Sequence, residues 1–177
     1  MRKSSIMAMG VAVCSLLVVP VIGGAQISLT GQLRTRTEYR NGVGTLKASD
    51  NKAAFFTSQR ARVTLGYKWS GRINFQMSAQ DVRVWGQDAS TISPADGARF
   101  GIHEAWAEIA FANKKDSGFR RTAIEYLGIK IGRQELLYDD SRLLGNLDWL
   151  QQGRRHDAIV FKLLQKGWQA DLGAAFN

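Results

Sequence analysis

The chain has 177 residues and a formal net charge of +9, with 24 lysines and arginines against 15 acidic residues. Such a charge points to an anionic partner without naming it, because nucleic acid, a membrane surface and an acidic polymer all qualify. A single cysteine excludes a disulfide framework, and two distant histidines, His103 and His156, leave no zinc-ligand spacing.

The N-terminus comes first. Arg2 and Lys3 form a basic start, Ile6 to Ile22 is apolar, and Gly23-Gly24-Ala25 precedes Gln26. This resembles a secretory signal peptide cleaved after Ala25. Residues 1–25 are then a leader and residues 26–177 the mature domain. An uncleaved anchor is the competing reading, and Pro20 with the small residues after it weighs against that. Cys14 follows Val13, which is not the small residue that lipid attachment wants. The mature chain would carry no cysteine and must be held together without disulfides. After Ile22 no apolar run approaches the roughly 20 residues a spanning helix needs. Helical membrane spans are excluded; a β-barrel is not.

The rest of the chain alternates with a period of two, which places one face in an apolar medium and the other in water. In Ile27 to Tyr39, Ile27, Leu29, Leu33 and Tyr39 share one face, while Gln32, Arg34, Arg36 and Glu38 share the other. This length suits a tilted membrane strand of about 9–11 residues better than a globular strand of about 5–6. Glycines, Asn and Asp in 41–51 mark a loop. Phe55 to Trp69 repeats the pattern, with Val63, Leu65, Tyr67 and Trp69 opposite Arg60, Arg62 and Lys68. Ser70-Gly71 is a tight turn. A third strand covers Arg72 to Trp85, with Ile73, Phe75 and Met77 on the apolar face. Asp81 and Arg83 then fall on that same face, which predicts either a bulge or a strand that has left the membrane.

Residues 87–99 form a polar loop. The fourth strand, Phe100 to Phe111, sets Ala105, Ala107 and Ile109 against Glu104, Trp106 and Glu108. Residues 113–122 are a charged connection. The fifth strand begins near Tyr126 and alternates Leu127, Ile129 and Ile131 with Gly128, Lys130 and Gly132. The longest connection, 136–155, leads to a sixth strand over Asp157 to Leu163. Lys166-Gly167 is a second tight turn, and a seventh strand starts at Trp168. The connections after strands one, three and five are long, and those after two and six are tight. Outer-membrane barrels sort external loops from periplasmic turns in this way; residues 113–122 are the exception.

The expected fold is all-β: an antiparallel up-and-down transmembrane β-barrel, here an incomplete set of about seven strands after a signal peptide. Single-chain bacterial barrels are even-numbered and start at 8 strands, so the chain reads as the N-terminal part of a longer barrel.

Several stretches carry a family resemblance. They are Lys130-Ile131-Gly132-Arg133-Gln134-Glu135-Leu136, Tyr138-Asp139-Asp140-Ser141-Arg142-Leu143-Leu144-Gly145 and Leu147-Asp148-Trp149. Gln80 to Gly86 and His103 to Glu108 belong with them. Together they resemble the alginate-export family of outer-membrane β-barrels, over most of residues 30–165. The resemblance implies an outer-membrane channel with an arginine-rich lumen and some acidic partners. It assigns the pore lining to Arg34, Arg36, Arg60, Arg62, Glu104 and Lys130. Where the family folds a loop into the pore, Asp139 to Trp149 is the candidate here. Arg133, Asp139, Asp140, Arg142 and Arg154 are then the candidate constriction-loop residues.

The basic faces support that reading on their own chemistry. The planar fork of arginine meets carboxylates in bidentate fashion, and rings of Arg and Lys select anions. The bland reading is a generic charged lumen whose arginines pair with Glu38, Glu104 or Glu108. The expected solute is an anionic, alginate-like polysaccharide or a small acidic molecule. Outer-membrane lipid is an expected partner, a periplasmic export apparatus is a further one such a channel could meet, and nucleic acid is not expected. The alternative from another class is a secreted, soluble β-sandwich that binds acidic glycans. No enzyme is expected: Glu104 and Glu108 could form a hydrolytic pair, but two acids at i and i+4 on one strand face more often balance nearby cations. Asp139-Asp140 could bind calcium, with a solvated loop as the plainer reading. No cofactor is expected.

Overall fold

The computed structural model describes residues 25–40, 54–87, 100–114, 118 and 122–176. Residues 1–24, which hold all of the expected leader but Ala25, together with residues 41–53 and 88–99, most of 115–121, Asn177 and the Arg40 side chain, lie outside the described residues.

Seven strands follow one another in chain order: β1 (Ala25–Arg40), β2 (Ala54–Trp69), β3 (Ile73–Val84), β4 (Phe100–Asn113), β5 (Ile124–Gln134), β6 (His156–Gln165) and β7 (Trp168–Phe176). Each pairs antiparallel with the next, in one sheet ordered β1-β2-β3-β4-β5-β6-β7. This is the up-and-down arrangement expected from the alternation, left open between β1 and β7. The two tight turns are where the sequence puts them. Ser70 and Gly71 have φ of 52° and 68°, and Lys166 and Gly167 have 45° and 81°. Positive φ at both central residues is the type I′ geometry, whose twist matches the flanking strands.

The two faces of the sheet are inverted relative to a water-soluble protein. Large apolar side chains are exposed: Leu29 and Leu33 at 70%, with Phe75, Ile109, Ile131, Phe161 and Leu172 also open. Among the described residues only Ala110, Ala112, Ala158 and Val160 are buried hydrophobics, whereas Arg60, Ser78, Gln80, His103, Glu104, Gln134 and Gln151 are buried. A β-sandwich packs two apolar inner faces against each other. A single sheet that shows its apolar face and buries its polar one does not fit the sandwich alternative.

The parity break in β3 has a local answer. The β2–β3 register runs unbroken, with Asp81 opposite Ala61 and Arg83 opposite Gln59. Both charges therefore stay on the apolar face, where Arg83 Nε and Nη2 donate to Asp81 at 2.6 and 2.7 Å. The bulge sits next door. Ser78 pairs with Glu104 and Ala79 with Ile102, so His103 is the extra residue of β4. That insertion lets His103 and Glu104, neighbours in sequence, both be buried.

Candidate functional site

The connection between β5 and β6, residues 135–155, folds back across the polar face. It reaches β1, four strands away. The polar faces of β1 and β2 meet it with a ladder of guanidinium groups, because alternation places Arg34 and Arg36 on one strand and Arg60 and Arg62 on the next. Arg34 and Arg60 are direct partners in the register. Side by side, these cations need acceptors, and the loop supplies them.

Arg34 Nη1 donates to the Asp148 carbonyl at 2.6 Å and to its Oδ2 at 3.3 Å. Its Nε and Nη2 reach Gln151 Oε1 at 3.1 Å and the Leu150 carbonyl at 2.8 Å. Arg36 Nη1 donates to the Trp149 carbonyl at 2.7 Å, while its Nε pairs with Glu38 at 2.6 Å. Arg60 is fully buried, and its Nη2 donates to Asp148 Oδ1 at 2.8 Å and to Gln32 Oε1 at 2.6 Å. Arg62 bonds Gln80 Oε1 and lies 3.5 Å from Glu135 Oε1. An unpaired guanidinium this deep would be strongly unfavourable; Asp148 and Gln32 offset that cost.

Uncharged tethers complete the seat. Gln151 Nε2 donates to Ser58 Oγ at 2.9 Å, and Gln80 Nε2 to the Gln152 carbonyl at 2.9 Å. At the base of the loop, Glu135 takes bonds from Asn146 Nδ2 at 2.8 Å and shares one with His103 Nε2 at 2.6 Å. The Arg60 hydrogen bond is the main reason the Asp148 carboxyl is held below its ordinary range, with the Arg60, Arg34 and Arg62 charges adding to it against a smaller effect of burial. For Glu135, burial pushes upward most strongly. The His103 and Asn146 hydrogen bonds and the His103 and Arg62 charges together outweigh it, so its carboxyl is also held low.

The structure thus brings Arg34, Arg36, Arg60 and Arg62 together as the seat of the loop. Four arginines there meet three carboxylates, Glu38, Glu135 and Asp148. The cluster is less cationic than the strand faces suggest on their own. Glu104 and Glu108 lie on the same polar face but bond other groups. Glu104 accepts from Gln76 at 2.7 Å and from Trp106 Nε1 at 3.2 Å. Glu108 accepts from Tyr126 Oη at 2.6 Å and from Lys162 at 3.2 Å. Lys130 stands 3.9 Å over the Trp106 ring and, with Lys162, Tyr138, Gln169 and Asp171, borders a cavity of about 660 Å³ beside the loop.

The constriction-loop residues do not form one cluster, although Arg133 and Arg154 border the same cavity of about 420 Å³ with Leu147 and Gly153. Arg133 lies on the opposite, apolar face, opposite Asp157 in the register, and its Nε and Nη2 donate to both carboxylate oxygens at 2.8 Å. Arg142 is 85% exposed and pairs with Asp140 at 2.6 Å. Asp139 occupies a turn with φ of 48°. Arg154 touches the loop through its backbone, donating to the Asn146 carbonyl. No group of three or more potential metal ligands occurs among the described residues. Beside the arginines, the loop is held by Ser58, Gln80 and His103 on the strands and by its own Asp148 and Gln151, none of them among the expected site residues, although Gln80, His103 and Asp148 lie in the stretches that carry the family resemblance. Polar side chains sharing parity with the arginines were the available signal for Gln32, Ser58 and Gln80.

Comparison with known proteins gives one family. The alginate-export family matches residues 25–175, nearly all of the chain beyond the leader. Neither the curated proteins nor the solved structures give a match. The stretches quoted above, the all-β up-and-down sheet and this match agree, and the chain belongs to the alginate-export family of outer-membrane transport proteins.

Proposed function

We propose that these strands form part of the wall of an outer-membrane channel that passes an anionic polysaccharide or a smaller acidic solute. The observation that carries it is the inverted sheet: apolar side chains such as Leu29, Leu33 and Phe75 face outward, and a loop seated on Arg34, Arg36, Arg60 and Arg62 narrows the polar side. Lipid meets the first face and a water-filled passage the second. Lys130 and Lys162, beside the cavity, add positive charge outside the loop seat. Weak cationic sites in series let a polyanion enter without being trapped. Transport is passive diffusion guided by this charge.

Residues 1–25 act as a cleaved leader in this proposal, and a periplasmic export apparatus is the partner that would deliver a polymer. The open edges at β1 and β7 are met by further strands that close the wall. The test is the reversal potential of the reconstituted barrel under a potassium chloride gradient. An anion preference that falls in Lys130→Glu supports the proposal; a cation preference in the native barrel overturns it. Mass spectrometry of the outer-membrane form checks for a mature N-terminus at Gln26.

A further inference from the structure

Trp149 is 65% exposed, yet its main chain is among the most firmly held in the loop. Its own carbonyl accepts from Arg36, the preceding carbonyl from Arg34, and the following carbonyl of Leu150 from Arg34 as well. Asp148 is clamped by Arg34 and Arg60, and Leu150 N closes a turn onto the Leu147 carbonyl at 2.9 Å. A lone exposed aromatic on a mobile surface loop would call for no explanation. This one differs because its backbone is fixed on the polar side of the sheet. Trp69 and Trp168, by contrast, lie on the apolar face, where an aromatic belt meets the lipid headgroups.

We infer that Trp149 is a stacking platform for the pyranose ring of an acidic sugar, with Arg36 placed to meet the carboxylate. A pyranose presents a flat face of C–H groups, which the electron-rich face of an indole attracts. Arg36 shares its charge with Glu38 through Nε, while its Nη1 end, on the neutral Trp149 carbonyl, is the part a sugar carboxylate would meet. A ring carried on a pre-fixed backbone loses less freedom when a sugar docks than one on a loose loop, and such preorganisation favours binding. The inference rests on the channel proposed above and narrows its solute from any small anion to a sugar polymer.

The test is ionic-current blockade of the reconstituted barrel by a defined oligouronate, read as the residence time of each block. Trp149→Ala is expected to shorten that time about five- to tenfold, the scale of one lost aromatic contact, and Trp149→Phe to recover part of it. A neutral oligosaccharide of equal length is expected to block more briefly while keeping the same dependence on position 149. Residence times equal in the native, Ala and Phe barrels overturn the inference, as does a complete absence of blockade. The chloride reversal potential, read in the same bilayers, separates the two ideas: an anion-selective barrel with blockade indifferent to Trp149 sinks the platform alone, and a cation-selective one sinks both.

Discussion

Asp148 Oδ1 lies 2.8 Å from Arg60 Nη2, although the residues are 88 positions apart in sequence. The arginine is 1% exposed and the carboxylate 53% exposed. One partner is sealed beneath the loop and the other remains open to water. The loop is thus held by a contact whose outer half is accessible.

Replacing the buried member is therefore worse than replacing the open one. Arg60→Ala removes bonds to Asp148 and Gln32 and leaves a void under the loop. A loss of about 2–4 kcal/mol is expected, on the scale of hydrogen bonds to a charged group. Asp148→Asn withdraws the charge that balances the buried guanidinium but keeps a side-chain acceptor beside Gln32, and is expected to cost less, about 1–2 kcal/mol. Thermal midpoints of the barrel in detergent test the order. Equal midpoints for the two variants would contradict it.

Loop closure is expected to depend on acid, and the sign follows from the carboxylates. Asp148 and Glu135 both sit below their ordinary values of 3.8 and 4.5 in the folded state. A depressed carboxyl contributes stability that is fully present above its unfolded value and lost as pH falls through its folded value. The loop is held across pH 5–8 and loosens below about pH 4. Single-channel noise from pH 7 to pH 3 measures this; noise that instead grows toward pH 8 would contradict the assignment.

Gly132 fixes the close approach of β4 to β5. Its φ is 122°, and a Cβ there would lie 2.2 Å from the Ala105 carbonyl oxygen. Gly132→Ala is expected to lose about 1–3 kcal/mol from backbone conformation alone, and more from the clash with main chain that cannot step aside. The expected readout is a sharp fall in folded barrel at the outer membrane. A normal yield would show that β5 can shift its register there.

Arg133 serves as the control. It shares the apolar side with Ile129 and Ile131 and is tied to Asp157, outside the seat formed by Arg34, Arg36, Arg60 and Arg62. Exposed ion pairs contribute little. Arg133→Gln is expected to leave the reversal potential and the oligouronate residence time where they were. A change in either would place Arg133 in the passage after all.

Much of the wall was legible because each strand repeats one local rule. Leu29, Leu33, Val63, Leu65 and Ile131 declare their face by parity, and Ser70-Gly71 and Lys166-Gly167 declare their turns by residue type. Arg133 shares its parity with Ile129 and Ile131, while the family resemblance sets it among the constriction residues; it pairs with Asp157 and also borders a cavity with Leu147 and Arg154. The loop was not legible in the same way. Residues 135–155 have no period, and their partners on β1 and β2 lie about a hundred positions away, so nothing local links Gln151 to Ser58 or Asp148 to Arg60. The extra residue at His103 was hidden for a related reason: a bulge shows only against a neighbouring strand, and the parity break at Asp81 pointed to the wrong one.

The alternation has a consequence for how the protein reaches its place. No single stretch between Ile27 and Phe176 is greasy enough to be caught by the first bilayer it meets. The oily exterior exists only once neighbouring strands lie side by side and their separate stripes merge. In a channel of the kind proposed, entry into lipid and strand pairing proceed together, and a half-assembled sheet left in water would stick to its own kind.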